Sequence, residues 1–267
     1  MILSLLQKPL TFQNTYLCKK QYQVKLSAIR NQIPNSITAL NLMLGIAAIV
    51  HTVNADYLTA AWLIVLAAIC DFFDGFIARL LHVKSDIGRE LDSLADVVSF
   101  GAAPSVFLFM AIRQAPDVPF LPFTNDVLSY SALLIGGFSA YRLAKFNLDT
   151  RQTDSFLGLP TPANALLLIS LSLLSLGSFG QDDFLSTLFY NKLIPLLIII
   201  PVSCYLLVSE IPMLALKFSH GFGFLQNKTR YIFLGGSLAI LVLAGPQGML
   251  GVIVFYVVVS VMNGKRR

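Results

Sequence analysis

The stretch from Cys70 to Pro104, CDFFDGFIARLLHVKSDIGRELDSLADVVSFGAAP, holds six of the chain's fourteen acidic residues, although the whole chain is 56% hydrophobic. Four of the six are Asp71, Asp74, Asp92 and Asp96. On a helix turning about 100° per residue, Asp71, Asp74, Gly75 and Ala78 fall within about 100° of arc. Gly88, Asp92 and Asp96 fall within about 80° on a following helix. Two helices joined by the short polar link His82–Asp86 can therefore face each other with two carboxylates apiece. Carboxylates gathered in a low-dielectric site repel one another and lose hydration. Divalent cations relieve both penalties, and four carboxylates suffice for two. An all-oxygen donor set without His or Cys selects a hard cation, Mg2+ or Mn2+.

Working outward, the 267-residue chain has a mean hydropathy of +0.73 and only 12% charged residues. Those values describe a multi-spanning membrane protein and exclude an ordinary soluble globule. The fold class expected is all-α integral membrane: a six-helix core bundle plus a C-terminal two-helix hairpin, about eight spans. The core spans are predicted at Ile37–Val53, Tyr57–Leu81, Gly88–Ile112, Leu128–Asn147, Thr161–Phe179 and Leu193–Val208. Tyr231–Ala244 and Met249–Met262 form the hairpin, turning at Gly245, Pro246 and Gln247. Both are short for a perpendicular span of about 20 residues. Pro34 suits the first turn of the first span.

Three regions follow: a basic N-terminal arm at 1–33, a membrane domain at 34–210, and a loop, hairpin and basic tail at 211–267. The arm carries Lys8, Lys19, Lys20, Lys25 and Arg30, and reads either as a helix on anionic lipid or as a loose tail. No cleavable leader is expected in it. Arg79, Lys84, Arg89, Arg142, Lys145, Arg151, Lys217, Lys228, Arg230 and the tail lie on one side of this map. Only Arg113 and Lys192 lie on the other. That bias puts both termini and the aspartate link in the cytoplasm. The net charge of +5 is modest and points to no nucleic-acid partner. Cys18, Cys70 and Cys204 are scattered and suggest neither a disulfide framework nor a zinc site.

Written out, the motif is Asp-x2-Asp-Gly-x2-Ala-Arg-x8-Gly-x3-Asp-x3-Asp, filled by Asp71, Asp74, Gly75, Ala78, Arg79, Gly88, Asp92 and Asp96. Every position matches the signature of the CDP-alcohol phosphotransferases, and the chain resembles that family from about Ile33 to Val208. The flanks LDSLADVVSFGAAP (Leu91–Pro104), YRLAKFN (Tyr141–Asn147), FLGLPTPAN (Phe156–Asn164) and IPNSITALN (Ile33–Asn41) resemble its serine-using, membrane-bound bacterial branch.

The resemblance implies a phosphatidyl transfer from CDP-diacylglycerol to L-serine, giving phosphatidylserine and CMP, in a homodimer of the bacterial inner (plasma) membrane. It assigns Asp71, Asp74, Asp92 and Asp96 to the metals and gives Asp96 the catalytic task of deprotonating the acceptor hydroxyl. Gly75 and Gly88 leave room for a nucleotide to approach the backbone, and Ala78 keeps the same face low. Arg79 can neutralise phosphate oxygens, and Ser85 can donate to them. Asn35 and Thr38 either contact the CDP-lipid or cap the first span. Arg142 and Lys145 either anchor the serine carboxylate or are ordinary positive flanking residues. Pro160 and Pro162 shape a loop beside the site or simply open the fifth span.

Two other readings stay open. The acceptor could be glycerol 3-phosphate or inositol phosphate, each of which needs a further phosphate-binding cluster. A carboxylate-based cation transporter is a different class, and it leaves the glycines and Arg79 unexplained.

Overall fold

In the computed structural model the described residues are 10–83, 85–118, 121–148, 156–178, 188–189, 192–214 and 228–264. Lys84, Arg151, Lys217, the tail 265–267 and residues 1–9 of the arm lie outside them. Among the described residues, the regular structure is helical apart from one two-residue ladder.

Helix α1 (Leu10–Val53) runs without a break through the predicted arm and first span. Pro34 therefore stands inside the helix and not in its first turn. A proline there removes one backbone donor. Ser36 Oγ donates to the Gln32 carbonyl at 2.8 Å, and Thr38 Oγ1 lies 3.1 Å from that of Pro34.

The turn into α2 (Tyr57–Leu80) is tight, with Ala55 at φ 62°. Asp56 caps α2 by accepting from the Thr59 amide at 3.3 Å, and its other oxygen lies 2.9 Å from His51 Nδ1. These contacts, with Thr59 first, hold the Asp56 carboxyl below the usual carboxylate range.

The predicted third span is one rod made of three pieces. Helix α3 (Asp86–Asp96) passes into a π-helical turn (Val97–Ala102) and then α4 (Ala103–Gln114). A second rod joins α5 (Asn125–Ser129), a 3-10 turn (Tyr130–Ala132) and α6 (Leu133–Leu148). Among the described residues, four helical stretches are long and apolar enough to cross a membrane: Gln32–Val53, Tyr57–Leu80, Asp86–Gln114 and Asn125–Leu148. Their exposed faces carry large apolar side chains such as Met43, Phe72 and Leu134, as hydrocarbon contact requires.

Shorter apolar helices complete the bundle. Helix α7 (Thr161–Ser175) is predicted to reach Phe179 but stops earlier, where Gly177 takes φ 67°. Residues Ala165 and Leu167–Ser175 are all buried, so α7 meets protein rather than lipid on every side. It packs against α2, α4 and α8 (Leu193–Val208). One core cluster gathers Leu108, Ile112, Leu168, Leu196 and Leu207; a second gathers Ile64, Phe100, Phe107 and Leu173.

A short antiparallel ladder pairs β1 (Phe156–Leu157) with β2 (Pro212–Met213). Gly158 makes this junction possible: it takes φ 76°, and a Cβ there would sit 2.7 Å from the Leu207 carbonyl oxygen. The C-terminal hairpin is α9 (Lys228–Ala244) and α10 (Met249–Gly264), joined by a 3-10 turn, Gly245–Gly248.

Helix α1 meets the π-helical turn between α3 and α4 closely at Gly45. A Cβ on Gly45 would meet Ser99 Oγ at 2.3 Å and, more seriously, Ser99 Cα at 2.7 Å. Ser99 also donates to the Asn41 carbonyl at 2.9 Å, so the two helices are locked at this level. Gly45→Ala is expected to cost about 1–3 kcal/mol through overpacking. Thermal melts of purified protein in detergent should show Tm falling by several degrees, and trimming Ser99 to Gly should not restore it fully, because a backbone atom is in the way.

Candidate active site

The predicted site residues gather where α1, α2 and α3 meet. Asp71 and Asp74 come from the second half of α2. Asp92 and Asp96 come from α3, one turn apart. One carboxylate oxygen from each of Asp71, Asp74 and Asp92 lies within 4.8 Å of the other two. Asp74 is buried, and its Oδ2 accepts a 2.6 Å hydrogen bond from Thr38 Oγ1 on α1. Asp92 Oδ1 is buried with no hydrogen-bond partner. Buried charges of this kind are paired or coordinate metals, so the donor set fits a hard divalent cation.

Asp96 lies outside this trio. It sits at the junction of α3 with the π-helical turn, is 8% exposed, and has an unpartnered Oδ1. What faces it is α6. The two rods run antiparallel: Asn147 Nδ2 donates to Ser93 Oγ at 2.8 Å, and a Cβ on Gly101 would touch Ser139 Cβ at 3.1 Å. Between those two contacts the register brings Arg142 level with the first turn after Asp96. Arg142 is buried, its Nε unpartnered, and it is within electrostatic reach of Asp96. Lys145 goes elsewhere: its Nζ lies 3.6 Å from Glu210 Oε1 at a half-exposed position. Arg142 and Lys145, each predicted as an anchor or a flanking charge, thus have different neighbours although one helical turn apart.

Beside the trio lies a cavity of about 350 Å³. Asn35 and Thr38 of α1, Asp74, Gly75 and Ala78 of α2, and Ser85, Gly88 and Asp92 at the start of α3 line it. Gly75 leaves open space, with nothing within 4 Å of a built Cβ. Gly88 also lines the cavity, and a Cβ there would lie 2.8 Å from Asn35 Oδ1, so its missing side chain serves the α1–α3 contact as well. Ser85 Oγ accepts from the Gly88 amide at 3.2 Å as the N-cap of α3, which leaves its own proton free to donate. Arg79 is exposed and donates from Nε to the Gly75 carbonyl at 2.9 Å, leaving its two terminal nitrogens available.

Asp86 and Arg89 also line the cavity, although neither belongs to the motif. Their helical phase could have found Arg89, which lies within about 60° of Asp92 and Asp96 on α3. Pro160 directly precedes α7 and Pro162 stands in its first turn.

The model of the CDP-alcohol phosphatidyltransferase family matches residues 31–204, and the chain belongs to that family. It is similar to proteins named CDP-diacylglycerol–serine O-phosphatidyltransferase. The Helicobacter pylori protein is 39% identical over 138 residues, 51% of this chain and 55% of that one. The Bacillus subtilis protein is 35% identical over 156 residues, 56% of this chain and 84% of its own length. The Mycobacterium leprae protein is 36% identical over 188 residues, 68% and 57% respectively. The match thus spans about half the length of the Helicobacter and Mycobacterium relatives. With its long apolar helices, the chain is an integral membrane protein.

The two motif glycines should separate cleanly on substitution. Gly75→Ala is expected to leave Tm unchanged, because nothing within 4 Å opposes the new methyl. Gly88→Ala must push aside the flexible tip of the Asn35 side chain and should lower Tm slightly. Differential scanning fluorimetry of both variants in one detergent checks the contrast.

Proposed function

We propose that the chain transfers the phosphatidyl group of CDP-diacylglycerol to L-serine, with release of CMP. One observation carries this reading: three carboxylate oxygens converge within 4.8 Å beside a glycine-floored cavity, in a chain of this family. The named relatives supply the choice of serine.

Asp71, Asp74 and Asp92 hold the cations, with Asp96 at the deep edge of the same site. Bound Mg2+ or Mn2+ neutralises the donor pyrophosphate and the departing CMP. Thr38 fixes the Asp74 carboxylate, so one of its oxygens keeps a constant direction. Gly75 and Ala78 admit the nucleotide, while Ser85, Arg79 and Asn35 contact its phosphates.

Asp96 takes the proton of the serine hydroxyl. The serine oxygen bonds to the phosphorus carrying diacylglycerol, and the bond from that phosphorus to the bridging pyrophosphate oxygen breaks. CMP leaves with the electron pair. Arg142 holds the serine carboxylate beside Asp96, where an alkoxide develops. Lys145, paired with Glu210, is a weaker candidate for that anchor.

The wider arrangement follows from charge and length. Residues 34–210 form the catalytic membrane domain, 1–33 a basic arm, and 211–267 a loop, hairpin and tail. Six spans make the core and the hairpin adds two. The basic residues put the aspartate end and both termini in the cytoplasm, in a bacterial inner membrane. A homodimer is proposed from the family resemblance alone.

The test is CMP release from CDP-diacylglycerol in detergent micelles. L-serine, glycerol 3-phosphate and inositol phosphate are offered in turn, with Mg2+, Mn2+ or EDTA. Release with serine alone, abolished by EDTA, is the expected result; release only with another acceptor overturns the serine assignment. Asp96→Asn should lower kcat by at least about 100-fold, the usual contribution of a general base. In Mn2+ titrations followed by electron paramagnetic resonance, Asp71→Asn and Asp92→Asn should weaken binding at least about 10-fold. Asp96→Asn should change the first Mn2+ affinity far less, because Asp96 lies outside the trio.

A further inference from the structure

We propose that Asn41 on α1 is a positioning residue for Asp96: its carboxamide Nδ2–H donates to that carboxylate and holds it toward the acceptor hydroxyl. This rests on the reading of Asp96 as the base.

Asn41 has no place in the motif. It is wholly buried, at 0% exposure, and neither its Nδ2 nor its Oδ1 has a hydrogen-bond partner among the described residues. A carboxamide buried in that way costs stability unless it serves something. The pattern of burial along α1 shows which way it faces. Thr38, Asn41, Gly45 and Ala48 are buried at steps of three and four residues, so they share one face. On that face Thr38 reaches Asp74, and Gly45 meets Ser99. Asn41 lies between them and is aimed into the interior beneath the acids.

Contacts on both sides fix its level. Helices α1 and α3 run side by side in the same direction. At one end a Cβ on Gly88 would lie 2.8 Å from Asn35 Oδ1, and at the other a Cβ on Gly45 would lie 2.7 Å from Ser99 Cα. Between these two points the register brings Asn41 level with Ala95 and Asp96. The 2.9 Å hydrogen bond from Ser99 Oγ to the Asn41 carbonyl agrees, since helix carbonyls point toward the C-terminal end. Helix α2 runs antiparallel to α1, and Thr38 pairs with Asp74, so Asn41 stands opposite Asp71. Helix α1 thus presents one polar side chain to each layer of acids, Thr38 to Asp74 and Asp92, and Asn41 to Asp71 and Asp96. Of the deeper pair, Asp71 belongs to the trio, whereas Asp96 keeps an unpartnered Oδ1.

A neutral donor suits a base in this layer. It steadies one carboxylate oxygen and leaves the other for the acceptor's proton, without adding a cation that would compete for the base. Asn41 and Asp96 are not bonded to each other in this structure. Catalytic hydrogen bonds tighten in the complex with substrate, and the terminal torsion of Asn is soft enough to allow it.

The experiment is steady-state CMP release by the full chain with Mn2+, titrating L-serine and CDP-diacylglycerol separately, with Tm measured alongside. Asn41→Leu keeps the bulk and removes the donor. Its kcat should fall about 10-fold or more, the effect of losing one hydrogen bond to a charged group. Both KM values and the Mn2+ affinity should stay within about 2-fold, and Tm should not fall, because the amide removed has no partner. Asn41→Thr restores a donor of the kind Thr38 supplies one turn away and should recover most of the loss. Ser99→Ala removes the bond to the Asn41 backbone and leaves the carboxamide; it should lower Tm and spare kcat. In the Asp96→Asn background, Asn41→Leu should cost little more, because the positioned group is already altered.

An unchanged kcat in Asn41→Leu overturns the proposal. So does a rise confined to the serine KM, which would put Asn41 on the acceptor itself, or a loss of Mn2+ affinity, which would make it a ligand. A kcat that follows Tm across Asn41→Leu and Ser99→Ala would reduce it to packing. Failure of the underlying reading looks different: Asp96→Asn itself would then keep its kcat.

Discussion

Negative charge held away from water is the constraint on which the rest of this structure depends. Asp71, Asp74 and Asp92 crowd within 4.8 Å, and Asp96 is buried one turn deeper. Among the described residues, one hydrogen bond, from Thr38 to Asp74, satisfies one of these carboxylates from another helix. The oxygens left unpartnered on Asp92 and Asp96 would destabilise any loosely packed bundle. The helices that carry them must therefore be clamped by something other than the carboxylates. Contacts at the glycines do this. Gly45 lets Ser99 lie against α1, and Gly88 lets Asn35 lie against α3, one clamp on either side of the acids along the rod. A cation in the site would complete the balance of charge rather than build the scaffold.

The π-helical turn at Val97–Ala102 belongs to the same solution. It begins directly after Asp96, at the point where the rod changes from a polar, site-lining helix to an apolar, core-filling one. A π turn inserts extra chain into a helix and rotates everything beyond it. Asp92 and Asp96 thus keep one face toward the site, while Phe100 and Phe107 turn into the cluster with Ile64 and Leu173. Ser99, inside the turn, spends its hydroxyl on the Asn41 carbonyl of α1. Ser105 just beyond donates to the Gly101 carbonyl at 2.7 Å, taking up backbone capacity within the turn.

Much of this was legible in the chain. Asp71, Asp74, Asp92 and Asp96 announce themselves because acids are rare in an apolar sequence and their spacing fits one helical face. The span Leu193–Val208 was readable to the residue, since a polar stretch bounds it on either side. What escaped notice has physical reasons. A π turn leaves no compositional trace, and a two-residue ladder is too short to show a period of two. Helix α7 could be shorter than a span because protein surrounds it, which a hydropathy run does not reveal. Arg142 and Lys145 look equivalent as letters. Three residues of helix turn one toward Asp96 and the other toward Glu210.

That divergence bears on how one family serves many alcohols. On the proposed reading, the matched segment, 31–204, contains the residues that face the pyrophosphate side: the acids, the glycine floor, the cap at Ser85 and the clamp at Asn35. None of them distinguishes one acceptor from another, because all read the shared half of the reaction. On the proposed reading, the acceptor is recognised from the opposite wall, where α6 presents Arg142 to Asp96. A buried cation beside a base is a poor general-purpose device, since each would neutralise the other. It becomes a recognition element only when a third group fixes the guanidinium and leaves the carboxylate free. That third group need not be part of the motif. Specificity can then change by exchanging peripheral helices while the metal site and the helix contacts that hold it stay as they are.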